Sequence, residues 1–570
     1  MAEEVWMLQT KKADFKQIGA RFQIDPVTAR IIRNRGIEGE AAIDRYLNGT
    51  LDDLYDPMLL KDMERAVSIL CEAVDTGKKI RIVGDYDIDG VCSTYILLQA
   101  FERLGSDVDF EIPDRIKDGY GINESIIEQA HADGVEVILT CDNGISAFHQ
   151  VELAKKYGMT VVITDHHEVP LDGEKEKIPP ADAVIDPKQA DCPYPFPEIC
   201  GAVVAYKLVQ VLYARRGVPQ MEWLDLLEFA AIATVGDVMK LQDENRILVK
   251  YGLKKMAQTK NLGLRRLAEK SNLDLGAITA YHIGFVIGPC LNAGGRLKTA
   301  KEALALLRAQ SEEEAERLAE ELKELNDTRK DMTEQGTEAA KLQVESWYQK
   351  DKVLVVFLPE CHESLAGIIA GRLREYYQKP AIVLTRGEEA VKGSGRSIDE
   401  YHMFKKLTEV SDLLLKFGGH PLAAGLSLEE KNIDEFRRRL NENAGLTEED
   451  FKAKVWIDVP MPVGYVTERL VRELSCLEPF GQGNEKPLFA EKSLRIRASR
   501  VLGRNRNVVK MTLEETDGHA IEALYFGDGT AFEEERAGRR EIDVVYYPDI
   551  NEYNGRKTLQ AVIRRYKFRG

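Results

Sequence analysis

Acidic and histidine residues follow several apolar runs of this chain of 570 residues. The first run precedes three carboxylates at alternate positions, Asp85, Asp87 and Asp89. Carboxylates held this close repel one another unless a cation lies among them. A solvated acidic loop would explain the first segment alone, but four such endings in one chain favour a metal site. The three later runs end in Asp142, in the pair His166 and His167, and in Asp237.

The residue types indicate which metal this site would take. Carboxylates mixed with imidazole suit manganese better than magnesium or calcium. An EF-hand calcium loop is disfavoured, because the twelfth position counted from Asp85 is Ile96 rather than glutamate. The potential ligands exceed what one catalytic ion needs, so we expect two Mn²⁺ ions about 3.5–4 Å apart, with Mg²⁺ as the alternative. Such a pair activates water for an in-line displacement at phosphorus.

Short apolar runs that alternate with helical segments would position these residues. This alternation is typical of βαβ units in a parallel sheet. Right-handed crossovers bring the carboxyl ends of all the strands to one edge, where ligands bind in such sheets. We therefore expect the acidic and histidine residues to meet at that edge. The predicted strands cover residues 80–83, 108–112, 135–139, 160–163 and 183–185.

The rest of the chain predicts further domains. A charged, periodic stretch without proline predicts one long helix, or two helices joined near Gly336, linking two lobes. A second α/β lobe follows, and then short alternating runs with turn signals that indicate a small antiparallel β-barrel. We expect an N-terminal helical segment at 1–75, a parallel-sheet domain at 76–300, the connecting helix at 301–348, the second α/β domain at 349–445 and the barrel at 455–570.

Composition excludes several classes of protein. With 44% hydrophobic and 30% charged residues, the chain is neither disordered nor fibrous. No apolar stretch is long and uninterrupted enough for a membrane span. The eight cysteines are scattered singly, which fits a reducing compartment, and the N-terminus has no apolar signal segment. We therefore expect a cytoplasmic protein with no membrane attachment.

The net charge of −17 conceals a basic C-terminal region. Residues 491–510 carry seven lysines and arginines against one acid, and residues 556–570 add six more. In that tail Tyr566 and Phe568 lie among the cations. Cations interleaved with aromatic rings suit a single nucleic-acid strand, since phosphates need charge and unpaired bases can stack. A solvated basic surface is the alternative.

Four motifs, DYDIDG, CDNG, TDHH and VGDV, resemble in order the motifs of the DHH phosphoesterase superfamily. The form of the first resembles the RecJ branch, the bacterial single-strand-specific 5′→3′ DNA exonucleases. The resemblance covers about residues 50–570. It also rests on GPCLNAGGRL (288–297), LNDTRK (325–330), GSGRS (393–397) and FGGHPLAAGL (417–426), the last two similar to the DHHA1 domain, and on LEPFGQGNEKPLF (477–489), similar to the entry of the RecJ OB-fold.

The resemblance implies an α/β fold in which a parallel-sheet DHH domain is joined by a long helix to an α/β DHHA1 domain, followed by the OB-fold barrel. It implies that Asp142 bridges two ions, that His167 contacts the scissile phosphate, and that His420 faces the metal centre. The implied metal ligands are Asp85, Asp87, Asp89, Asp142, His166 and Asp237. The implied substrate-binding residues, several of them around a 5′-terminal phosphate, are Arg115, Asn292, Arg296, Ser394, Arg396, Gly418, Gly419 and His420.

The function that follows is a single-stranded-DNA-specific 5′→3′ exonuclease, which releases 5′-mononucleotides by two-metal hydrolysis in DNA repair and recombination. A DHH hydrolase of short oligonucleotides or small phosphate substrates is the alternative enzyme, but the basic C-terminal barrel disfavours it. A non-catalytic DNA-binding scaffold is disfavoured by the intact set of acids and histidines. The resemblance implies single-stranded DNA, single-strand-binding protein and a helicase as partners, and we expect a monomer.

Overall fold

A computed structural model describes residues 4–553 and 555–569. The chain divides into two compact units. The larger unit comprises Leu54–Met239 and Ile247–Ala453, and the smaller comprises Glu4–Asp53, Lys240–Arg246 and Lys454–Gly570. Among the helices of the described residues, none combines the length and the apolar character needed to cross a bilayer.

The first half of the chain contains most of the helices. The elements are β1 (Glu4–Leu8), α1 (Phe15–Phe22), α2 (Pro26–Asn34), α3 (Glu40–Asn48), α4 (Met63–Asp75), β2 (Ile80–Val83), α5 (Ile88–Arg103), β3 (Val108–Glu111), α6 (Glu124–Ala132), β4 (Val137–Cys141), α7 (Phe148–Lys156), β5 (Thr160–Thr164), β6 (Leu171–Asp172), β7 (Lys175–Glu176), β8 (Ala183–Ile185), α8 (Gly201–Arg215), α9 (Gln220–Leu224), α10 (Leu227–Gly236), α11 (Asp243–Met256), α12 (Leu262–Lys270), α13 (Ala280–His282), a π-turn (Ile283–Ile287) and α14 (Gly288–Leu297).

The second half contains most of the strands. The elements are α15 (Lys301–Arg308), α16 (Glu312–Gln343), a second π-turn (Val344–Tyr348), β9 (Leu354–Phe357), α17 (Ala366–Tyr377), β10 (Ala381–Arg386), β11 (Val391–Arg396), α18 (Met403–Thr408), β12 (Leu414–Gly419), β13 (Ala423–Leu428), α19 (Ile433–Glu442), β14 (Ala453–Ile457), β15 (Val459–Pro460), α20 (Glu468–Glu473), β16 (Phe489–Leu502), β17 (Val508–Glu514), β18 (Ala520–Phe526), α21 (Gly529–Arg536), β19 (Glu541–Tyr553) and β20 (Arg556–Arg569).

The predicted parallel sheet is confirmed. Its strand order is β3-β2-β4-β5-β8, and every pairing is parallel. Strands β2, β4 and β8 are buried along their whole length, as expected for a sheet covered on both faces. The chain leaves β2 for β3 on one side and then returns to β4 on the other. This change of direction opens a crevice between the carboxyl ends of β2 and β4, where such sheets bind ligands.

The second lobe of the larger unit is also α/β, but its sheet is mixed. The strand order is β12-β13-β11-β10-β9, with only β9 and β10 parallel. Helix α16 of 32 residues precedes it, and Ser311 caps its acidic first turn. The break in the predicted helical stretch lies at 309–311, whereas α16 continues through Gly336. A Cβ at Gly336 would lie 2.6 Å from Ile369 Cδ1, so the glycine allows close packing on α17 and is not a hinge.

The smaller unit is built on a six-stranded sheet of order β15-β16-β17-β18-β20-β19, in which β19 pairs with β16 as well as β20. The pairings are mixed, because β15 runs parallel to β16 and β18 runs parallel to β20. The prediction of wholly antiparallel strands is corrected at these two places. The N-terminal segment also contains a strand, since β1 pairs with β14. Its residues Ile31, Ile32 and Tyr46 share one apolar core with the sheet.

Candidate active site

Strands β2 and β4 deliver the first group of acids to the crevice between them. The carboxylate oxygens of Asp85, Asp87 and Asp142 lie within 4.8 Å of one another. Asp85 and Asp142 are almost fully buried. Burial, and then the charges of neighbouring aspartates, raise the pKa of both carboxyls well above their usual range. Two buried carboxylates this close need a cation to remain ionised.

His166 brings the second group together at the end of β5. Its Nε2 lies 3.1 Å from Asp142 Oδ1, 3.5 Å from Asp89 Oδ2 and 3.8 Å from Asp237 Oδ2. Burial lowers the pKa of His166, which favours the neutral imidazole that metals bind. Burial and the charge of Asp89 raise the pKa of Asp237 to about 8. Asp142 therefore lies between the two groups.

Unpaired polar atoms test whether these residues fit a metal. Within the described residues, Asp85 Oδ2 and both ring nitrogens of His166 are buried without a hydrogen bond. Buried polar atoms normally have a partner, so the Asp85 oxygen and the unprotonated nitrogen of a neutral His166 ring are free to coordinate. Carboxylate and imidazole donors in this number fit divalent ions such as Mn²⁺ and Mg²⁺.

Backbone geometry fixes two of the acids. Asp87 caps helix α5, and its carboxylate accepts hydrogen bonds from the N–H groups of Asp89 and Gly90. A Cβ at Gly90 would lie 2.4 Å from the carbonyl oxygen of Asp85, so only glycine allows this turn. The N–H groups of Gly201 and Ala202, at the start of α8, each donate to the Asp89 carboxylate at 2.7 Å. The positive end of that helix thus holds Asp89.

His167 differs from its neighbour because it is paired with a carboxylate. Its Nδ1 lies 2.7 Å from Asp165 Oδ1. Burial alone would lower the pKa of His167, but the hydrogen bond and charge of Asp165 raise it to about 9. The ring is therefore a cation at neutral pH, and 44% of its side chain is exposed. The hydroxyl of Tyr120 donates to the carbonyl of Asp142 at 2.7 Å and lies beside the His167 ring.

Three predicted arginines also meet within the larger unit. Burial and the charge of Arg115 lower the pKa of Arg296 to about 10 and lower the pKa of Arg396. Arg296 donates to the carbonyl of Ser364 at 3.0 Å. Arg396 donates to the hydroxyl of Ser394 at 3.1 Å. These three arginines are half-buried and repel one another, so an anion between them would be stabilising, just as a cation would be among the acids.

Protein-family models match three parts of this chain, and curated relatives match nearly the whole of it. Family models of the DHH N-terminal domain, the DHHA1 domain and the RecJ OB domain match residues 79–234, 350–445 and 457–565. The single-stranded-DNA-specific exonuclease RecJ of Bacillus subtilis is 36% identical over 98% of this chain and 70% of that protein. The chain belongs to the RecJ family.

Solved RecJ structures share the fold. The crystal structure of RecJ in complex with Mn²⁺ from Thermus thermophilus has a TM-score of 0.84 at 28% identity and covers 99% of this chain and 79% of that one. A second structure of RecJ from the same organism, in complex with Mg²⁺, has a TM-score of 0.77 at 27% identity, with coverages of 99% and 78%. The resemblance and the fold class predicted from the motifs are confirmed.

The remaining residues predicted from the RecJ resemblance are Asn292, Gly418, Gly419 and His420. Asn292 lies one helical turn before Arg296 on α14, so both share a face. Gly418, Gly419 and His420 lie at the exposed end of β12, and the N–H of His420 donates to the carbonyl of Ala423 at 2.7 Å. Among the described residues, the grouped metal-ligand candidates of this crevice do not include His420. Its role facing the metal stays a prediction.

Four residues that contribute to the acidic and arginine groups were not predicted from the sequence. Asp165 orients His167, and its place directly before the two histidines was the available signal. The backbone of Gly201 and Ala202 gives no side-chain signal. Gly367 on α17 lies against the arginine group, because a Cβ there would be 2.8 Å from Arg396 Nη2.

Proposed function

We propose that this chain is a metal-dependent, single-stranded-DNA-specific exonuclease that acts 5′→3′ and releases 5′-mononucleotides, in DNA repair and recombination. The observation that carries the proposal is His166 Nε2 within 3.8 Å of three carboxylates, at the strand ends of a chain whose relatives are named single-stranded-DNA-specific exonucleases. An isolated acidic surface would not bury these groups together.

The residues that would hold the metal are Asp85, Asp87, Asp89, Asp142, His166 and Asp237. A pair of Mn²⁺ ions, or Mg²⁺ in their place, would activate water and stabilise the charge that develops on phosphorus. Asp142 is proposed to bridge, since its carboxylate belongs to both groups. Gly201 and Ala202 hold Asp89 through their N–H groups, so that its carboxylate need not reorganise when metal binds.

The chain's own cations are proposed to position the strand. His167, protonated through Asp165, would donate to the scissile phosphate and offset its growing negative charge. Arg115, Arg296 and Arg396, with Ser394 and Asn292, would enclose a 5′-terminal phosphate, which carries about two charges and three strong acceptor oxygens. Gly418, Gly419 and His420 are proposed to approach the same strand from the second lobe. Together these groups fix which end of a strand enters.

The activity test uses 5′-labelled single-stranded DNA with Mn²⁺, compared with blunt duplex DNA and with a dinucleotide. We expect rapid release of mononucleotides from the 5′ end of the long strand and little cleavage of the duplex. Preferential cleavage of the dinucleotide would indicate the small-substrate hydrolase instead. Binding without cleavage would indicate a scaffold, and either result would refute the proposal.

The domain division remains part of this proposal. Three of the proposed parts, at 76–300, 349–445 and 455–570, are supported by family models that match residues 79–234, 350–445 and 457–565. The helical part at 301–348 would join the first two. The N-terminal segment 1–75 is better divided near residue 53, because residues 4–53 share a core with the C-terminal sheet. The basic sheet of the smaller unit is proposed to bind single-stranded DNA.

We also propose the setting in which the enzyme works. A cytoplasmic location is supported by the eight cysteines, which are scattered singly along the sequence as is usual in a reducing compartment. Single-strand-binding protein and a helicase are proposed partners, because a single-strand exonuclease needs exposed strands. A monomer is proposed as the active form. Light scattering of the purified chain tests the last point, and a concentration-independent dimer would contradict it.

A further inference from the structure

Two aromatic rings lie exposed on one short helical segment of the larger unit. Tyr281 and Phe285 are 63% and 66% exposed. Their ring centroids are 4.7 Å apart, and their planes are inclined by only 26°. Aromatic side chains usually contribute to stability by being buried, so a stacked pair left in solvent marks a surface that binds something.

The pair is presented by an ordered segment. Tyr281 lies in α13 and Phe285 in the π-turn that follows, four residues later and on the same side. Thr279 and His282 cap the start of this segment, with the Thr279 N–H donating to His282 Nδ1 at 3.0 Å. A π-turn inserts one residue into a helix and is frequent at functional sites.

The segment packs against the elements that carry the acidic residues. A Cβ at Gly284 would lie 3.6 Å from Val235 Cγ1, and Val235 is two residues before Asp237. A Cβ at Gly288, just after the π-turn, would lie 3.3 Å from Ile88 Cδ1, and Ile88 stands between two of the clustered carboxylates. Adding the intervening residues and side-chain lengths to these contacts places the rings within roughly 20 Å of the acidic groups.

We propose that Tyr281 and Phe285 form a stacking platform for one unpaired base of the strand whose phosphate is cleaved at the acidic groups. The inference rests on the proposed function and adds specificity-determining residues to it. Aromatic faces stack on unpaired bases regardless of sequence. A base inside a duplex is already paired and stacked, so the platform would favour single strands without reading their sequence.

The test combines ring removal with base removal in the full-length protein. The substrates are 5′-phosphorylated single strands, either intact or with one abasic site at successive positions from the 5′ end. On the intact strand, the double variant Tyr281→Ala/Phe285→Ala should lower kcat/KM about tenfold or more. On the strand that lacks the stacked base, wild type and variant should have equal kcat/KM, because the shared interaction is already gone.

Matched variants separate stacking from a general loss of structure. Phe285→Trp and Tyr281→Phe keep an aromatic face and should retain near wild-type kcat/KM, whereas Phe285→Leu keeps only apolar bulk and should not. Trp347→Ala removes a ring that is 70% exposed in the second π-turn and should change nothing.

The outcomes distinguish the platform from the enzyme. An undiminished kcat/KM in the double variant, or a loss of equal size on every abasic strand, would overturn the platform while leaving the exonuclease intact. The second result would point to a protein-binding or purely structural role for the rings. A wild type that cleaves no single strand at all would overturn the proposed function and the platform with it.

Discussion

The acidic group and the arginine group of the larger unit are opposite in charge but face the same physical problem. Burial and neighbouring like charges raise the pKa of Asp142 well above its usual range. Burial and a neighbouring like charge lower the pKa of Arg296 to about 10. Each group therefore holds like charges close together, and a counter-ion would stabilise them. We propose a metal as the ligand of the first group and a phosphate as the ligand of the second, since each would balance the charge of its group.

The largest expected effect comes from removing the shared carboxylate of the acidic group. Asp142 has a backbone φ of 60°, a conformation that asparagine tolerates better than alanine, so Asp142→Asn is the suitable change. We expect kcat with Mn²⁺ to fall more than about a hundredfold, since even residues that only support metal ligands can cost that much. Kinetics on 5′-phosphorylated single strands measure this.

Thermal unfolding of the same variant sharpens the comparison. In EDTA, Asp142→Asn should have a higher Tm than wild type, because it removes one of several mutually repelling buried charges. In Mn²⁺ the order should reverse, since ligand binding stabilises only the folded state that can hold the metal. If wild type gained no stability from Mn²⁺, the acidic group would not be a metal site.

An intermediate effect is expected in the arginine group. Arg396→Ala should lower kcat/KM on 5′-phosphorylated strands roughly 30- to 150-fold. This corresponds to a loss of about 2–3 kcal/mol of transition-state stabilisation, the scale of a hydrogen bond between charged groups. Strands with a 5′-hydroxyl should be affected far less. Arg438→Ala is the matched control, because Arg438 is an exposed arginine whose ion pairs, among the described residues, are with Glu435 and Glu442 of its own helix. Equal losses on both kinds of strand would refute the end pocket.

The smallest effect is expected where cations are exposed instead of buried. Arg495, Arg500 and Arg504 lie exposed on and just after β16 of the smaller unit. Replacing all three by alanine should reduce the slope of log K against log salt for a long single strand by about 2, since each phosphate contact contributes roughly 0.7. The preference for a 5′-phosphate should not change. An unaltered salt slope would show that the arginines of β16 and of the turn after it do not contact the DNA.

The grouping of the acids and His166 was predictable because of one rule of parallel sheets. Asp85, Asp142 and His166 each follow an apolar strand, and the parallel topology brings those strand ends together. Asp237 follows helix α10, so its arrival in the same group depends on how that helix packs, which periodicity does not encode. The hydrogen bonds from Gly201 and Ala202 to Asp89 were not predicted either, because their donors are backbone N–H groups and no side-chain type in the sequence indicates them.

Other parts of the fold depend on long-range packing and could not be predicted from local sequence. The N-terminal segment reads as helical, but β1 forms a strand because it finds a partner in β14, more than 400 residues later. In β16 a bulge lies between Ile496 and Ala498 and shifts the alternation of side chains. Arg495 and Arg500 are thereby both exposed, although they are five positions apart. Strict alternation would have predicted opposite faces.

Calorimetric titration of Mn²⁺ into the metal-free, full-length protein tests the central claim most directly. Our account predicts two ions bound per wild-type chain and a lower stoichiometry or a much weaker affinity for Asp142→Asn, with Arg438→Ala behaving as wild type. Wild-type protein that binds no Mn²⁺, or an Asp142→Asn variant that binds it as wild type does, would contradict the assignment of these residues to a metal centre.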